Sequence, residues 1–251
     1  MGESLQVYQN RLEAWKLDQF PGQTPGDISQ KFGPDGVAKP YYGLTIVAFI
    51  EPSSVLYQNL CDYQTRIKRA LTSAGLDSHF TFLEPGSFHM TLCDIVAGPL
   101  PLSAEHIDGA VNIAAKLFPE LEGYGELACQ YSDLGLDMSL MQLADFDSER
   151  SLLQCLHLER ALKQGFGVNE RSFLGHISLA YLLGYSKEAL KQILKSLSPF
   201  SKEILGEFKM NKLSLCYFSD MNTYEDLVSI DLLDGYLENF WKNSNHGVNH
   251  A

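Results

Sequence analysis

Two stretches of this chain carry the same short pattern, and together they decide its fold. The first is FLEPGSFHMTLCDIV, residues 82–96, which contains HMTL at residues 89–92. The second is RSFLGHISLAYLL, residues 171–183, which contains HISL at residues 176–179. Each tetrapeptide reads histidine, apolar residue, hydroxyl residue, apolar residue, with a phenylalanine shortly before it. One copy alone would be a weak signal, whereas two copies in one chain indicate a duplicated structural element.

The pattern predicts what each face of the two strands carries. Successive side chains of a β-strand point to opposite faces, so His89 and Thr91 share a face, as do His176 and Ser178. The apolar residues between them face a core. If the two strands lie side by side or across a cleft, two imidazoles and two hydroxyls converge. The alternative is that each histidine is a hydrogen-bonded structural residue of its own strand.

Such a group of side chains suits acid–base attack on a phosphodiester. An unperturbed imidazole titrates near neutral pH, so one can remove a proton from the attacking hydroxyl while the other protonates the leaving oxygen. The hydroxyls can donate to the non-bridging phosphate oxygens. A serine nucleophile is a weaker alternative because the chain has no G-x-S-x-G elbow. A metal-ligand role is weaker too, because no H-E-x-x-H motif or paired carboxylates accompany the histidines.

The rest of the first half predicts strands and helices in alternation. The run GLTIVAFI, residues 43–50, is a β-branched strand, and Ser53 or Ser54 can cap a following helix that ends at Gly75. Two strands, HFTFLE and FHMTLCDIV, come next, and Ser103 opens another helix.

The second half repeats this plan. Strands are predicted near 125–131 and 135–143, then a helix from Asp147 or Ser148 to Lys163, the second motif strand and a further helix. FKMNKLSLCYF, residues 208–218, and EDLVSIDLL are the closing strands, with a turn at residues 219–222 between them. We therefore predict an α+β fold of two similar lobes. Residues 1–40 are an irregular N-terminal arm that begins with a short amphipathic helix, residues 41–240 are a single bilobal domain, and residues 241–251 are a flexible tail.

Composition narrows the functional class. The chain has 251 residues, 45% of them apolar, and a net charge of −12. A protein that holds extended DNA normally carries a basic stripe, which this sequence lacks. Five widely spaced cysteines without a C-x-x-C pair indicate a reducing compartment and therefore a cytoplasmic location. No apolar run of membrane-spanning length and no secretory signal pattern is found, so no membrane association is expected.

The two tetrapeptides resemble the signature of the 2H phosphoesterase superfamily, and the likeness covers about residues 40–235. The chain resembles an uncharacterised branch of that superfamily, one with an N-terminal extension. The resemblance implies a bilobal, pseudo-twofold α+β fold with two antiparallel sheets lining a central cleft and helices outside. It also implies a metal-independent, cofactor-free phosphoric diester hydrolase that opens 2′,3′-cyclic phosphates on nucleotides or RNA ends. His89 and His176 would be its general acid and base, in either order, and Thr91 and Ser178 its phosphate ligands.

Other side chains are candidates for substrate contacts. A cation near the phosphate could come from Arg171, Lys209, Lys212 or Lys39, but each of these is rather expected to be a solvated surface side chain. Cys93 is expected to line the cleft beside Thr91. Tyr42 and Tyr217, and also Tyr41, are candidates for stacking on a base, although core or half-buried strand packing is the favoured interpretation for each. The acidic charge favours a small nucleotide-like ester, and RNA ends are a second option, bound by a monomer. A non-catalytic nucleotide- or phosphate-binding module on the same scaffold is the alternative function.

Overall fold

The computed structural model describes residues 5–22, 28–121, 124, 127–146, 148–169 and 174–241. Its helices are α1 (Leu5–Trp15), α2 (Ile28–Lys31), α3 (Val55–Ser73), α4 (Ala104–Leu117), α5 (Glu149–Phe166) and α6 (Lys187–Leu197). Its strands are β1 (Tyr42–Phe49), β2 (Phe80–Phe82), β3 (His89–Gly98), β4 (Leu127–Leu136), β5 (Ser139–Asp145), β6 (His176–Leu182), β7 (Gly206–Met210), β8 (Lys212–Phe218), β9 (Tyr224–Asp231) and β10 (Leu237–Asn239). The prediction of an α+β fold is confirmed.

The strands form one large antiparallel sheet in the order β10-β9-β8-β1-β3-β6-β5-β4-β7, with β2 added beside β6. The expectation of two separate sheets is therefore wrong, because strands β3 and β6 join the two halves. The join is short: Met90 of β3 and Ile177 of β6 are its paired residues. Both are apolar positions of the two HΦ[ST]Φ motifs and both are buried. The centre of the sheet thus lies between the motifs.

The closing segment, residues 208–218, was expected to be one strand and is two. Strand β7 pairs with β4 at one edge of the sheet, whereas β8 pairs with β1 and β9 in the other half. The chain changes partner at Asn211, between the two strands. The apolar alternation changes phase at this point, from Phe208 and Met210 to Leu213 and Leu215, and this shift is the signal of the break in the sequence.

One hydrophobic cluster joins the helices to one face of the sheet. Leu44, Ile46 and Ala48 of β1 belong to the same cluster as Leu60 and Ile67 of α3. Because strand residues alternate in direction, Thr45 and its neighbours on the other face of β1 point away from these helices. The serines that precede α3, α4, α5 and α6 accept a hydrogen bond from a backbone N–H of the first turn; they are Ser54, Ser103, Ser148 and Ser186.

The N-terminal segment packs against the body of the protein. The predicted helix at residues 5–15 is present as α1, and Tyr8, Trp15 and Leu17 are buried. Lys16 forms an isolated β-bridge with Gly135 of β4, and the Arg11 guanidinium donates to the Leu174 carbonyl at 3.0 Å. A second short helix, α2, follows in the segment that was expected to be irregular. The flexible tail predicted for residues 241–251 lies, beyond residue 241, outside the described residues.

Two sequence expectations bear on the surroundings of the protein. The five cysteines are free, four of them are buried, and Cys61 is half-buried. Within the described ranges, no helix combines the length and apolarity that a bilayer crossing requires. The cytoplasmic location stays a prediction.

Candidate active site

The four polar side chains of the two motifs line one pocket, on the sheet face opposite the main helical cluster. His89 and Thr91 enter it from β3, and His176 and Ser178 enter it from β6. The pocket has a volume of about 150 Å³. Sites that enclose a whole drug-sized ligand measure about 300–1,000 Å³, so this pocket encloses a phosphate-sized group rather than a complete nucleotide.

The pairing of β3 with β6 sets how the motifs face each other. Met90 pairs with Ile177 in antiparallel register. Continued by one residue to either side, that register would set His89 against Ser178 and Thr91 against His176. Because the described pairing of the two strands is this one pair, the four polar side chains lie on either side of the join and line the pocket.

His89 is held as a neutral imidazole with a defined tautomer. Its Nδ1 is 2.6 Å from the Ser87 carbonyl oxygen, which can only accept, so Nδ1 carries the proton and Nε2 has the free lone pair. The rings of Phe49 and Tyr224 pack edge-on against it, with centroids 5.9 and 4.8 Å away. Burial lowers the pKa of His89 to about 4, and the hydrogen bond to Ser87 opposes that shift only in part. At neutral pH this histidine can act as a base.

His176 lies against the N-terminal segment. The ring of Trp15, at the end of α1, packs edge-on against it with centroids 5.1 Å apart. The Ser178 hydroxyl, two residues further along β6, is 3.1 Å from the Ser139 hydroxyl of β5. Trp15 and Ser139 both line the pocket, so the second motif is bordered by α1 on one side and by the β4–β5 turn on the other.

A β-bulge in each motif strand adds a third pocket residue to each motif. In β3 the pairing with β1 shifts between Ile46–Cys93 and Val47–Thr91, and Asp94 then pairs with Thr45. In β6 the pairing with β5 shifts after Ser178, and Tyr181 pairs with Ser139. An extra residue reverses the alternation of side chains beyond it. Asp94 and Tyr181, each three residues after the motif hydroxyl, therefore point into the pocket.

Cys93 was expected to line the cleft beside Thr91, and this expectation is wrong. The bulge turns Cys93 into the protein, where it is buried, and brings Asp94 to the pocket instead. The Thr45 hydroxyl donates to Asp94 Oδ1 at 2.8 Å. Unbroken strand alternation predicts the cysteine, because a bulge is created by the pairing of two distant strands.

Lys31 contributes an ammonium to the pocket, and it was not among the cations expected from the sequence. It ends helix α2, and its Nζ lies 5.3 Å from the ring centroids of both Tyr41 and Tyr181. Burial disfavours its charge, but Tyr181, Tyr41 and Asp94 outweigh that cost and raise the pKa of Lys31. The lysine is therefore an ammonium at neutral pH. A lysine in a short helix of a glycine-rich segment gives no sequence signal of a site.

Three of the cations considered from the sequence lie elsewhere. The Lys39 ammonium donates to the Ser29 carbonyl at 2.7 Å on the surface. The Lys212 ammonium is 3.3 Å from a Glu238 carboxylate oxygen, and Lys209 lies beside the same outer pocket as Lys212. None of these three lysines lines the motif pocket. Arg171 lies outside the described residues.

Tyr42 and Tyr217, the expected base-stacking residues, do not line the pocket. Their rings stack on each other with centroids 6.4 Å apart. Strand alternation puts Tyr42 on the face of the buried Leu44, and Tyr217 packs against the main hydrophobic cluster. The packing alternative therefore holds for both. Tyr41, the third tyrosine considered, does line the pocket, together with Tyr181 and Tyr224.

Within the described ranges, no group of three or more histidine, cysteine, aspartate or glutamate side chains is arranged to hold a metal ion. The site is thus composed of two imidazoles, two motif hydroxyls, one ammonium and the carboxylates of Asp94 and Asp137.

One family model matches part of the chain. Residues 31–99 match the family model described as 2H-phosphodiest, a domain of unknown function (DUF1868). That range includes Lys31 and the whole first motif. No protein among the curated sequences matches the chain.

Solved structures share the fold. The conserved protein of unknown function ATU0111 from Agrobacterium tumefaciens superposes with a TM-score of 0.60 at 16% identity, over 86% of this chain and 97% of that one. A structure named as a phosphoesterase gives 0.52 at 14% identity, over 78% and 100%. Escherichia coli LigT in its apo form gives 0.50 at 14% identity, over 77% and 99%. The chain has the fold of the 2H phosphoesterases. The resemblance to that superfamily is confirmed, and the family model supports a function of the phosphodiesterase type.

Proposed function

We propose that this chain is a metal-independent cyclic phosphodiesterase that hydrolyses a small nucleotide-like or RNA-terminal 2′,3′-cyclic phosphate. One observation carries the proposal: the imidazoles and hydroxyls of both motifs line a single phosphate-sized pocket. The two motifs are at least 85 residues apart in the sequence. Acid–base hydrolysis of a diester needs two proton-transferring groups on opposite sides of one phosphorus, and this pocket offers two.

His89 is the general base of the proposed reaction. Its neutral ring has Nε2 free to accept, because Nδ1–H is bound to the Ser87 carbonyl. Nε2 takes a proton from a water molecule as the water oxygen forms a bond to phosphorus. Thr91 and Ser178 donate to the non-bridging oxygens and hold the phosphorus between the two imidazoles.

His176 is the general acid and enters the reaction protonated. As the bond between phosphorus and one ribose oxygen breaks, His176 donates its proton to that oxygen. The products are a phosphate monoester and a free ribose hydroxyl. His89 then carries the extra proton and His176 lacks one, and proton exchange with solvent restores both. Trp15 shields one side of His176 from water.

Turnover by matched histidine variants tests the proposal. Wild type is assayed on the four 2′,3′-cyclic nucleotides in the presence of EDTA, beside His89→Asn, His176→Asn and a control, His157→Asn, which alters an exposed histidine of α5. We expect each motif variant to lose on the order of 10²–10⁴-fold in kcat, as for loss of a general acid or base, and the control to keep its rate. Wild-type rates in both motif variants would refute the mechanism. Inactivation by EDTA would refute metal independence.

Two further readouts complete this test. The acidic limb of the kcat/KM profile should lie near pH 4, because protonation of His89 removes the base. If no cyclic phosphate is hydrolysed and these nucleotides still raise the thermal midpoint, the chain is the binding module considered as the alternative.

A further inference from the structure

The charges around the pocket point to the charge of its ligand. We propose that Lys31 and Asp94 make this site selective for singly charged phosphate diesters over doubly charged phosphate monoesters. The inference rests on the proposed function in treating the pocket as a phosphate site. It goes further by assigning a charge class to the ligand and by giving two residues outside the motifs a role in that choice.

Lys31 supplies the positive charge. Its ammonium reaches the pocket from the N-terminal segment, between the rings of Tyr41 and Tyr181. Among the described residues that line this pocket, Lys31 is the only lysine and there is no arginine. A pocket of about 150 Å³ keeps any phosphate group within a few ångströms of its walls. An anion bound beside the motif hydroxyls therefore interacts directly with this ammonium.

Asp94 limits how much negative charge the pocket accepts. The bulge of β3 turns its carboxylate to the same face as His89 and Thr91, and Thr45 donates to it at 2.8 Å. Asp137, in the turn between β4 and β5, contributes a second carboxylate to the lining. With the proton that the proposed reaction places on His176, two cations face two carboxylates, while His89 is uncharged at neutral pH. The lining then has no net positive charge, so a second negative charge on a ligand loses its water without compensation.

The substrate and the product of the proposed reaction differ in charge. A cyclic phosphodiester carries one negative charge. The monoester formed from it ionises again with a pKa near 6 and approaches two charges above that pH. The same carboxylates that tolerate the substrate therefore repel the product, which favours its release.

Binding of two small probes that need no turnover tests the inference. Dimethyl phosphate carries one charge and methyl phosphate carries two at pH 8, and both are small enough for the pocket. Affinities are measured by protein NMR at constant ionic strength for wild type, Lys31→Met, Lys31→Arg and Asp94→Asn. The control is Lys39→Met, which removes an exposed lysine of the same segment. NMR spectra without ligand verify that each variant is folded.

We expect wild type to bind dimethyl phosphate about tenfold more tightly than methyl phosphate. Lys31→Met should weaken both probes about tenfold, Lys31→Arg should retain binding, and Lys39→Met should behave as wild type. Asp94→Asn should strengthen methyl phosphate binding more than dimethyl phosphate binding, because the repulsion from a carboxylate grows with the charge of the ligand.

Other outcomes overturn the inference. Equal or tighter binding of the doubly charged probe by wild type would refute the selectivity. Unchanged binding in Lys31→Met would remove the lysine from the site. If Asp94→Asn weakened both probes as Lys31→Met does, Asp94 would only position the lysine. Selective binding without hydrolysis of any cyclic phosphate would refute the proposed function and leave this inference standing, and efficient hydrolysis with equal binding of both probes would do the reverse.

Discussion

The burial of His89 as a neutral imidazole should make the stability of the whole protein depend on pH. The pKa of this histidine is lowered from its ordinary 6.5 to about 4 in the folded state, whereas the unfolded chain leaves it exposed to water. Between these two values the unfolded state binds more protons than the folded state. The free energy of unfolding therefore rises with pH across this window and falls as the solution is acidified.

The size of this effect follows from the two pKa values. At pH 8 the imidazole is neutral in both states and contributes nothing. At pH 5 it is mostly protonated only in the unfolded chain, which costs about 2 kcal/mol of stability, and below pH 4 the loss approaches about 3 kcal/mol. The cause is desolvation: the rings of Phe49 and Tyr224 replace the water that a charged imidazole would need.

Urea unfolding at pH 8 and pH 5 measures this contribution. His89→Asn keeps an amide that can donate to the Ser87 carbonyl but cannot titrate, so it should lose about 2 kcal/mol less between the two pH values than wild type. His157→Asn, the exposed control, should lose as much as wild type. All other titrating groups are common to the three proteins and cancel in the comparison. Equal losses in wild type and His89→Asn would show that His89 is not held neutral by the fold.

Two further predictions concern the backbone positions that support the fold around the site. Ser54→Ala removes the acceptor of the Tyr57 amide at the start of α3 and should cost about 1 kcal/mol of unfolding free energy, while the neighbouring Ser53→Ala should cost less than about 0.5 kcal/mol; equal costs would contradict the assignment of Ser54 as the cap. Gly175→Ala, directly before His176, puts a Cβ 2.5 Å from the Tyr8 hydroxyl oxygen at a φ of +92°, and should cost about 1–3 kcal/mol. Tyr8→Phe in the same chain should recover part of that loss, and Gly184→Ala, which meets no neighbour, should be tolerated; denaturation midpoints check all three.

The two motif strands show how much of the site local pattern can predict. Alternation put His89 with Thr91 and His176 with Ser178, and the structure places all four in one pocket. The same rule failed beyond the motif hydroxyls. It selected Cys93 and missed Asp94 and Tyr181, each of which comes three residues after a motif hydroxyl. An extra residue in each strand had reversed the alternation, and that residue is defined by its partner strand.

Residues outside the motifs could not be selected in this way. Lys31 reaches the pocket because the N-terminal segment folds back across the sheet, and no periodicity in that segment signals it. Tyr42 and Tyr217 were reasonable aromatic candidates, yet each lies on the face of its strand that packs toward the core. Which tyrosine reaches a ligand depends on which face of the sheet the pocket occupies.

The features that can be predicted from the residues alone are local: the strands of the two HΦ[ST]Φ motifs, the faces of their side chains and the serine caps of the helices. These follow from the two-residue repeat of a strand, the 3.6-residue repeat of a helix and the unpaired amides of a first helical turn. Long-range features needed the folded chain: Met90 pairs with Ile177, residues 208–218 divide between two halves of one sheet, and Lys31 and Asp94 meet at the pocket. Those contacts join residues far apart in the chain, and their free energy depends on packing and strand pairing that no single segment contains.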